Sequence, residues 1–138
     1  MIILYPKHKS MGVERDDFQV IYQVGKGVSI NLFDQLLDKA GLQKQVLAGL
    51  LGMDPRTIDN YRKQNRSFAA LEGELLLKLD TLFDFGMDVF GSKEDFKAWL
   101  YSPAFALQDR KPIDFLNTST GVDLVEQALQ RIVHGYVV

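Results

Sequence analysis

The sequence is poor in residues on which many chemistries depend. Its 138 residues include no cysteine, two histidines, four prolines and one tryptophan. The lack of cysteine excludes disulfides and thiolate metal sites and fits a reducing compartment. His8 and His134 stand far apart, without the paired spacing of a histidine metal site. We therefore expect neither a metal nor a cofactor.

Long apolar runs are absent as well. The apolar runs, such as Leu75 to Leu77, are far too short to cross a bilayer, and Met1 to Leu4 lack the features of a signal peptide. A chain of this length with 46% hydrophobic residues can still bury a core. These observations predict a cytoplasmic globular protein without a membrane partner.

Charge is distributed unevenly along the chain. The net charge of -2 combines +3 in residues 1–66 with -5 in residues 67–138. Residues 56–66 hold four basic side chains against Asp59 alone. Phosphate contacts are therefore expected in this short segment.

The spacing of apolar residues predicts an all-α fold. A first helix is expected from Asn31, which can cap it, to a stop at Gly41. A second runs from about 43 to 51, and a third begins at Pro55 with Asp54 as its N-cap.

A long central helix is expected next, ending at Gly91. One face of it carries an apolar series: Leu71, Leu75, Leu79, Leu82, Gly86 and Phe90. Ser92 and Asp95 resemble a capping box for a short helix, and a final helix is expected from about Thr120 to Gly135.

The segment from 16 to 24 fits two structures. Phe18, Val20, Tyr22 and Val24 alternate as in a strand, whereas Phe18, Ile21 and Val24 also suit a helix, which we favour. The expected organisation is an N-terminal arm at 1–15, a DNA-binding domain at 16–70 and a second helical domain at 71–138.

The segment KQVLAGLLGMDPRTIDNY, residues 44–61, resembles a DNA-binding helix-turn-helix of the Xre type. Ala48 is small where two helices cross, Gly52 can adopt the positive φ of a tight turn, and Ile58 can pack the second helix on the first. The alternative is ordinary packing of two short helices, with the basic segment as a solvated face.

The helix-turn-helix interpretation predicts contacts with operator DNA. Base edges are assigned to Arg56, Thr57 and Asn60, and phosphates to Lys44, Gln45, Arg62, Lys63 and Arg66. Asp59 would repel phosphate, so it must point elsewhere or accept from a base. A homodimer is expected because such proteins read paired half-sites about 34 Å apart, with the central helix and the N-terminal segment as candidate interfaces.

The second half carries a further series of motifs: FG at 90–91, FKAWL at 96–100, SPAFAL at 102–107, RKPIDFL at 110–116, TG at 120–121 and RIVHG at 131–135. This order is similar to the C-terminal toxin-binding domain of Xre/MbcA/ParS antitoxins. The resemblance implies a RES-domain toxin partner that consumes or transfers from NAD. It also implies an antitoxin that caps this toxin, represses the pair's promoter and has no active site of its own. The chain departs from the family pattern at Gln108 and Asp109, where a glycine usually precedes the arginine, and at Gly73 to Leu76, where an arginine-bearing motif is usual.

Toxin contacts are expected on a rigid, apolar loop and at the end of the final helix. The candidates are Pro103, Phe105, Leu107, Arg110, Pro112, Arg131 and His134, with the tail Tyr136, Val137 and Val138. Burial is an alternative for Phe105 and Leu107, and Trp99 is expected in the core. The tail is expected to enter or flank the toxin's nucleotide cleft, as in the family, or instead to pack on a dimer mate.

Other functional classes remain open. A free-standing helix-turn-helix regulator would use its second half for dimerisation or sensing, and a pure binding module would lack DNA activity. An enzyme is least supported. Asp80, Asp84 and Asp88 recur every four residues and are expected to form a solvated acidic stripe rather than an acid–base pair.

Overall fold

The structure, a computed structural model, describes residues 16–135. The predicted arm at 1–15 and the predicted contacts of Tyr136, Val137 and Val138 lie outside this range. Within it the chain is all-helical, without a strand, which confirms the predicted fold class. The α-helices are α1 (Asp17–Lys26), α2 (Ile30–Ala40), α3 (Lys44–Leu50), α4 (Pro55–Gln64), α5 (Ala70–Phe90), α6 (Lys93–Leu100) and α7 (Ser119–Val133), with 3₁₀ turns at Phe105–Leu107 and Pro112–Phe115.

Small polar residues cap most of the helices. Asp54 caps α4 by accepting from the backbone N–H of Arg56 at 2.8 Å, as predicted. The N-cap of α2 is Ser29 rather than Asn31, because the Ser29 hydroxyl accepts from the Asn31 N–H at 3.0 Å and the helix already begins at the buried Ile30. The cap of α7 is Thr118, so that helix begins one residue before the predicted start.

The segment at the start of the described range is a helix, which decides between the two predicted structures. Helix α1 packs along α5 but contains no buried residue. Its three largest apolar side chains face outward, with Phe18 83% exposed, Ile21 66% and Tyr22 59%. Large exposed apolar side chains on one helix are unusual for a surface that contacts only water.

Helix α5 lies at the centre of the fold and contacts α1, α2, α6 and α7. Most of its predicted apolar face is buried, including Leu75, Leu79 and Leu82. Leu71 is the exception at 81% exposed. It lies in the first turn, at the rim of a cavity rather than beneath a packed helix, so its predicted place on the buried face is wrong.

Ion pairs connect α2 to the central helix α5. Lys39 Nζ lies 2.6 Å from Asp80 and 2.9 Å from Asp84. Burial acts to lower the pKa of Lys39, but the hydrogen bonds to both carboxylates outweigh it and raise that pKa. The predicted solvated stripe is confirmed for Asp84 and Asp88, which are exposed. It is wrong for Asp80, which is half-buried and paired with a cation from another helix.

A second lysine fixes α7 on α5. Lys78 is only 7% exposed. Its Nζ donates to the Ser119 hydroxyl at 2.6 Å and to the Ser119 carbonyl at 3.2 Å, and it lies 2.7 Å from the Asp123 carboxylate. A buried ammonium is tolerated only with such partners, so this cluster sets the position of the N-terminal end of α7.

Candidate DNA and toxin surfaces

Helices α3 and α4 form a tight helix-turn-helix. Gly52 has φ 71°, the left-handed conformation predicted for the turn. Ala48 is fully buried where the helices cross, as are Leu47 and Ile58. The backbone N–H of Met53 donates to the Ala48 carbonyl at 2.9 Å and closes the turn. Each predicted packing role in this motif is confirmed.

The outward face of α4 presents three of the predicted DNA contacts together. Arg56, Asn60 and Lys63 are all exposed, and steps of four and three residues place them on one helix face. Thr57 is half-buried beside this row. In the part of the chain that the structure describes, Lys63 makes no ion pair.

Two other predicted phosphate contacts are held in an ion-pair network that sequence reasoning missed. Lys44 Nζ lies 2.9 Å from the Asp59 carboxylate, which also accepts from Arg62 at 3.0 Å. The Arg62 guanidinium donates to both carboxylate oxygens of Asp34, at 2.6 and 3.2 Å. In the free protein the Asp59 carboxylate therefore pairs with neighbouring cations.

The pKa values of this surface move with these contacts. The hydrogen bond from Lys44, supported by Arg62, lowers the pKa of Asp59. The Arg56 side chain and backbone lower the pKa of Asp54, and Asp34 raises the pKa of Arg62. The side chains of the network of Lys44, Asp59, Arg62 and Asp34 are 38–42% exposed, so each of these partly solvated pairs contributes little to stability.

The remaining predicted DNA contacts have local partners. Arg56 lies 3.2 Å from the Asp54 carboxylate yet is 88% exposed. Arg66 places its guanidinium 4.6 Å above the Tyr61 ring, a cation–π contact that holds it beside α4. Gln45 donates to the Gln43 side chain at 2.9 Å.

The loop between α6 and α7 has a closed, defined shape. Ala104 and Arg110 pair as an antiparallel bridge, with the Ala104 N–H donating to the Arg110 carbonyl at 3.1 Å. Between them Gln108 and Asp109 both adopt left-handed backbone conformations, at φ 58° and 60°. Glycine adopts this conformation without a Cβ clash, so a glycine before this arginine, as expected from the resemblance, would fit the same loop.

The predicted toxin-binding residues of the loop divide by exposure. Pro103, Phe105 and Arg110 are exposed, with Phe105 at 65%. The Arg110 guanidinium lies 4.8 Å above the Phe115 ring. Tyr101, which sequence reasoning did not select, adds a ring that is 40% exposed.

Two predicted contacts in the loop are corrected. Leu107 is 5% exposed and Pro112 is also buried, so neither can contact a partner in this conformation. Both belong to the 3₁₀ turns, and α7 packs against these turns. For Leu107 the alternative of a core position is therefore confirmed, and for Phe105 it is excluded.

At the end of α7, Arg131 and His134 are both exposed.

Trp99 of α6, which the sequence predicts in the core, is half-buried. Its ring lies 5.6 Å from the ring of Phe90 and 6.0 Å from that of Phe96. Among residues 16–135 there is no group of three or more potential metal ligands. No helix in the same range is long and apolar enough to span a membrane.

Comparison with known proteins agrees with this arrangement. Residues 19–79 match the antitoxin Xre-like helix-turn-helix domain, and residues 86–135 match the antitoxin Xre/MbcA/ParS C-terminal toxin-binding domain. A curated relative, "Antitoxin Xre" of Yersinia enterocolitica, is 25% identical over 117 residues, which span 84% of this chain and 79% of that protein.

A solved structure gives the same fold. The MbcT-MbcA toxin-antitoxin complex of M. tuberculosis contains a chain that matches with a TM-score of 0.63 at 17% identity, over 79% of this chain and 96% of that chain. The two halves thus define a helix-turn-helix protein with a toxin-binding domain. The chain belongs to the Xre/MbcA/ParS family of antitoxins.

Proposed function

We propose that this antitoxin neutralises a RES-domain toxin that consumes or transfers from NAD, and that it represses the promoter of the pair. The observation that carries the proposal is the separation of two exposed surfaces. A basic helix face occurs on α4, and an exposed loop bearing Phe105 and Arg110 joins α6 to α7. We assign DNA binding to residues 16–70 and toxin binding to residues 71–138.

In the DNA-bound state, α4 lies in the major groove with its N-terminal residues nearest the bases. Arg56 and Asn60 read base edges, since arginine suits guanine and asparagine suits adenine. Lys63, Arg66 and Gln45 contact the backbone. Lys44 and Arg62 exchange their carboxylate partners for phosphates, which is feasible because these ion pairs are partly exposed and individually weak.

A second copy of the chain covers the exposed face of α1. Phe18, Ile21 and Tyr22 offer three large apolar side chains on one helix, and paired operator half-sites require two recognition helices. Phe18→Glu with Ile21→Glu should convert a dimer to a monomer in light scattering, while Gln19→Glu with Gln23→Glu changes the same charge at other exposed positions of α1. A dimer that persists in the first variant would contradict this interface.

The toxin docks on the loop, with Phe105 as an apolar anchor and Arg110 as a donor held over Phe115. Arg131, His134 and the tail Tyr136, Val137 and Val138 extend the contact toward the toxin's NAD site. The chain contributes no catalytic group to this complex and acts in the cytoplasm.

The test is reciprocal, since each variant is the control for the other. Arg56→Ala with Asn60→Ala should abolish operator specificity, at about 1–3 kcal/mol for each base contact, and leave toxin capture unchanged. Arg110→Glu should impair capture and leave operator binding unchanged. Operator affinity is measured by fluorescence anisotropy. Capture is measured by co-purification of the co-expressed toxin, whose NAD consumption is assayed before and after the antitoxin is denatured away.

The outcomes separate the functional classes. If no NAD-consuming protein co-purifies but the promoter is bound, the chain is a free-standing regulator instead. If the toxin is captured and no promoter DNA is bound at any salt concentration, it is a binding module without DNA activity. Deleting Tyr136 to Val138 should weaken neutralisation only, and full neutralisation by that variant would remove the tail from the site.

A further inference from the structure

A cavity of about 310 Å³ lies where the helix-turn-helix meets the toxin-binding half. Its walls come from the α3–α4 turn, the first turns of α5 and the residues that cap α7. Leu51 and Leu75 form buried parts of the wall, and Leu71 stands exposed at the rim. Small-molecule sites are typically concave, largely apolar and placed between structural units, and this volume falls at their lower end.

The polar groups of the cavity differ in whether their hydrogen bonds are satisfied. The Thr118 hydroxyl accepts from the Gly121 N–H, and the Ser119 hydroxyl accepts from Lys78. The Glu72 carboxylate differs, because its Oε1 atom is buried and has no hydrogen-bond partner among the described residues. Buried polar atoms almost always have a partner, so an exception requires an explanation.

The charged residues of the cavity wall are all acidic. Glu72 and Glu74 both line the cavity, and none of the described residues that line it is a lysine, arginine or histidine. An occupant that supplied an ammonium group would complement this charge. Rotation of the Glu72 side chain would bring its buried Oε1 atom to this donor. Its apolar part would lie against the leucines.

We propose that this cavity binds a small primary amine with an apolar body. At about 30 Å³ for each non-hydrogen atom, the volume share of a liquid water molecule, the cavity accommodates roughly ten such atoms. Phenethylamine has this size and chemistry and serves as the probe. Phenethyl alcohol has the same shape without the charge and is its matched neutral control.

The structure supplies a variant that fills the site without straining the fold. Gly49 lines the cavity, and a Cβ added to it meets nothing within 4 Å. Gly49→Leu should therefore add a large apolar side chain to the cavity wall without a clash at its Cβ. Gly25 in α1 has equally open surroundings and lies outside the cavity wall, so Gly25→Leu is the matched control. Glu72→Gln removes the charge with little change in shape.

The experiment titrates the isolated chain with each probe and follows backbone amide signals by two-dimensional NMR. Phenethylamine should give saturable shifts at Gly49, Gly52 and Ser119, with a Kd on the order of 0.1–1 mM as expected for a ligand of this size. The alcohol should bind about tenfold more weakly. Glu72→Gln should reduce amine affinity to that of the alcohol, Gly49→Leu should abolish both, and Gly25→Leu should change neither.

Several outcomes of the titration would contradict binding of an amine in this cavity. Shifts that do not saturate, shifts that map elsewhere, or equal amine affinity in wild type and Glu72→Gln would overturn the proposal, and water alone would then occupy the cavity. Since the titration uses neither toxin nor DNA, its failure would leave the proposed antitoxin function untouched. Loss of toxin capture or of operator binding would likewise leave the cavity result unchanged.

Discussion

The clearest test of the packing concerns Gly86, in the buried part of α5. A Cβ built at this position would lie 2.2–2.4 Å from three ring atoms of Phe96. The Phe96 ring is 1% exposed, and it packs edge-on to Phe83 at 5.2 Å and stacks with Phe90 at 6.0 Å. The ring is confined on several sides, so even one methyl group at Gly86 forces α5 and α6 apart.

The magnitude follows from two opposing effects. Alanine favours a helix over glycine by about 1 kcal/mol, whereas overpacking a buried contact costs about 1–3 kcal/mol. We expect the contact to dominate, because real Cβ atoms do not approach ring carbons this closely. Gly86→Ala should therefore lower the free energy of unfolding by about 2 kcal/mol.

Gly49→Ala is the matched control, because this helical glycine has no atom within 4 Å of its added Cβ. It should raise the free energy of unfolding by up to about 1 kcal/mol. Urea denaturation followed by circular dichroism should separate the two midpoints by roughly 1–2 M. Fluorescence of Trp99, the single tryptophan, reports the same aromatic cluster directly. If Gly86→Ala were as stable as Gly49→Ala, the close approach of α5 and α6 would be incorrect.

Three further predictions concern polar groups. Lys78→Ala should destabilise the fold by about 2 kcal/mol in urea denaturation, a smaller loss than for a fully buried ion pair because Asp123 is 44% exposed. Lys93→Ala, at an exposed lysine, should change stability by less than about 0.5 kcal/mol. Equal effects of the two variants would refute the role of the cluster around Lys78. Asp109→Gly should raise the melting temperature by relieving a left-handed backbone, and a lower value would contradict this. Pairing lowers the folded-state pKa of Asp54 and Asp59, so the stability that these pairs contribute is present above about pH 4 and is lost as the pH falls through the folded pKa. Acid unfolding of the variant Asp54→Asn with Asp59→Asn should therefore depend less on pH than that of wild type. Identical profiles would exclude a contribution from these pairs.

Much of the fold could be predicted from the sequence because helices and tight turns depend on neighbouring residues. The apolar spacing predicts the all-α class, Gly52 predicts the turn, and Asp54 before Pro55 predicts the start of α4. Local signals were ambiguous where two suitable residues were close together. Ser29 caps α2 instead of Asn31 because Ile30 is buried and must already be helical.

Only the tertiary structure decided which side chains are available for binding. Phe105 and Leu107 share one short turn, yet one is exposed and the other buried, because α7 packs against one side of that turn. The loop has no regular period from which this orientation could be inferred. Leu71 is likewise exposed because no helix packs over it in the first turn of α5. Its position in the helical repeat does not reveal this.

The electrostatics of the candidate DNA surface were also beyond local inference. Arg62 pairs with Asp34, 28 residues earlier, and Lys39 pairs with Asp80, 41 residues later. By itself the sequence determined where the helices, turns and basic helix face would form, since these follow from short-range periodicity and capping. The tertiary structure alone decided the long-range ion-pair partners, because the distance between two side chains remote in sequence is set by how the helices pack.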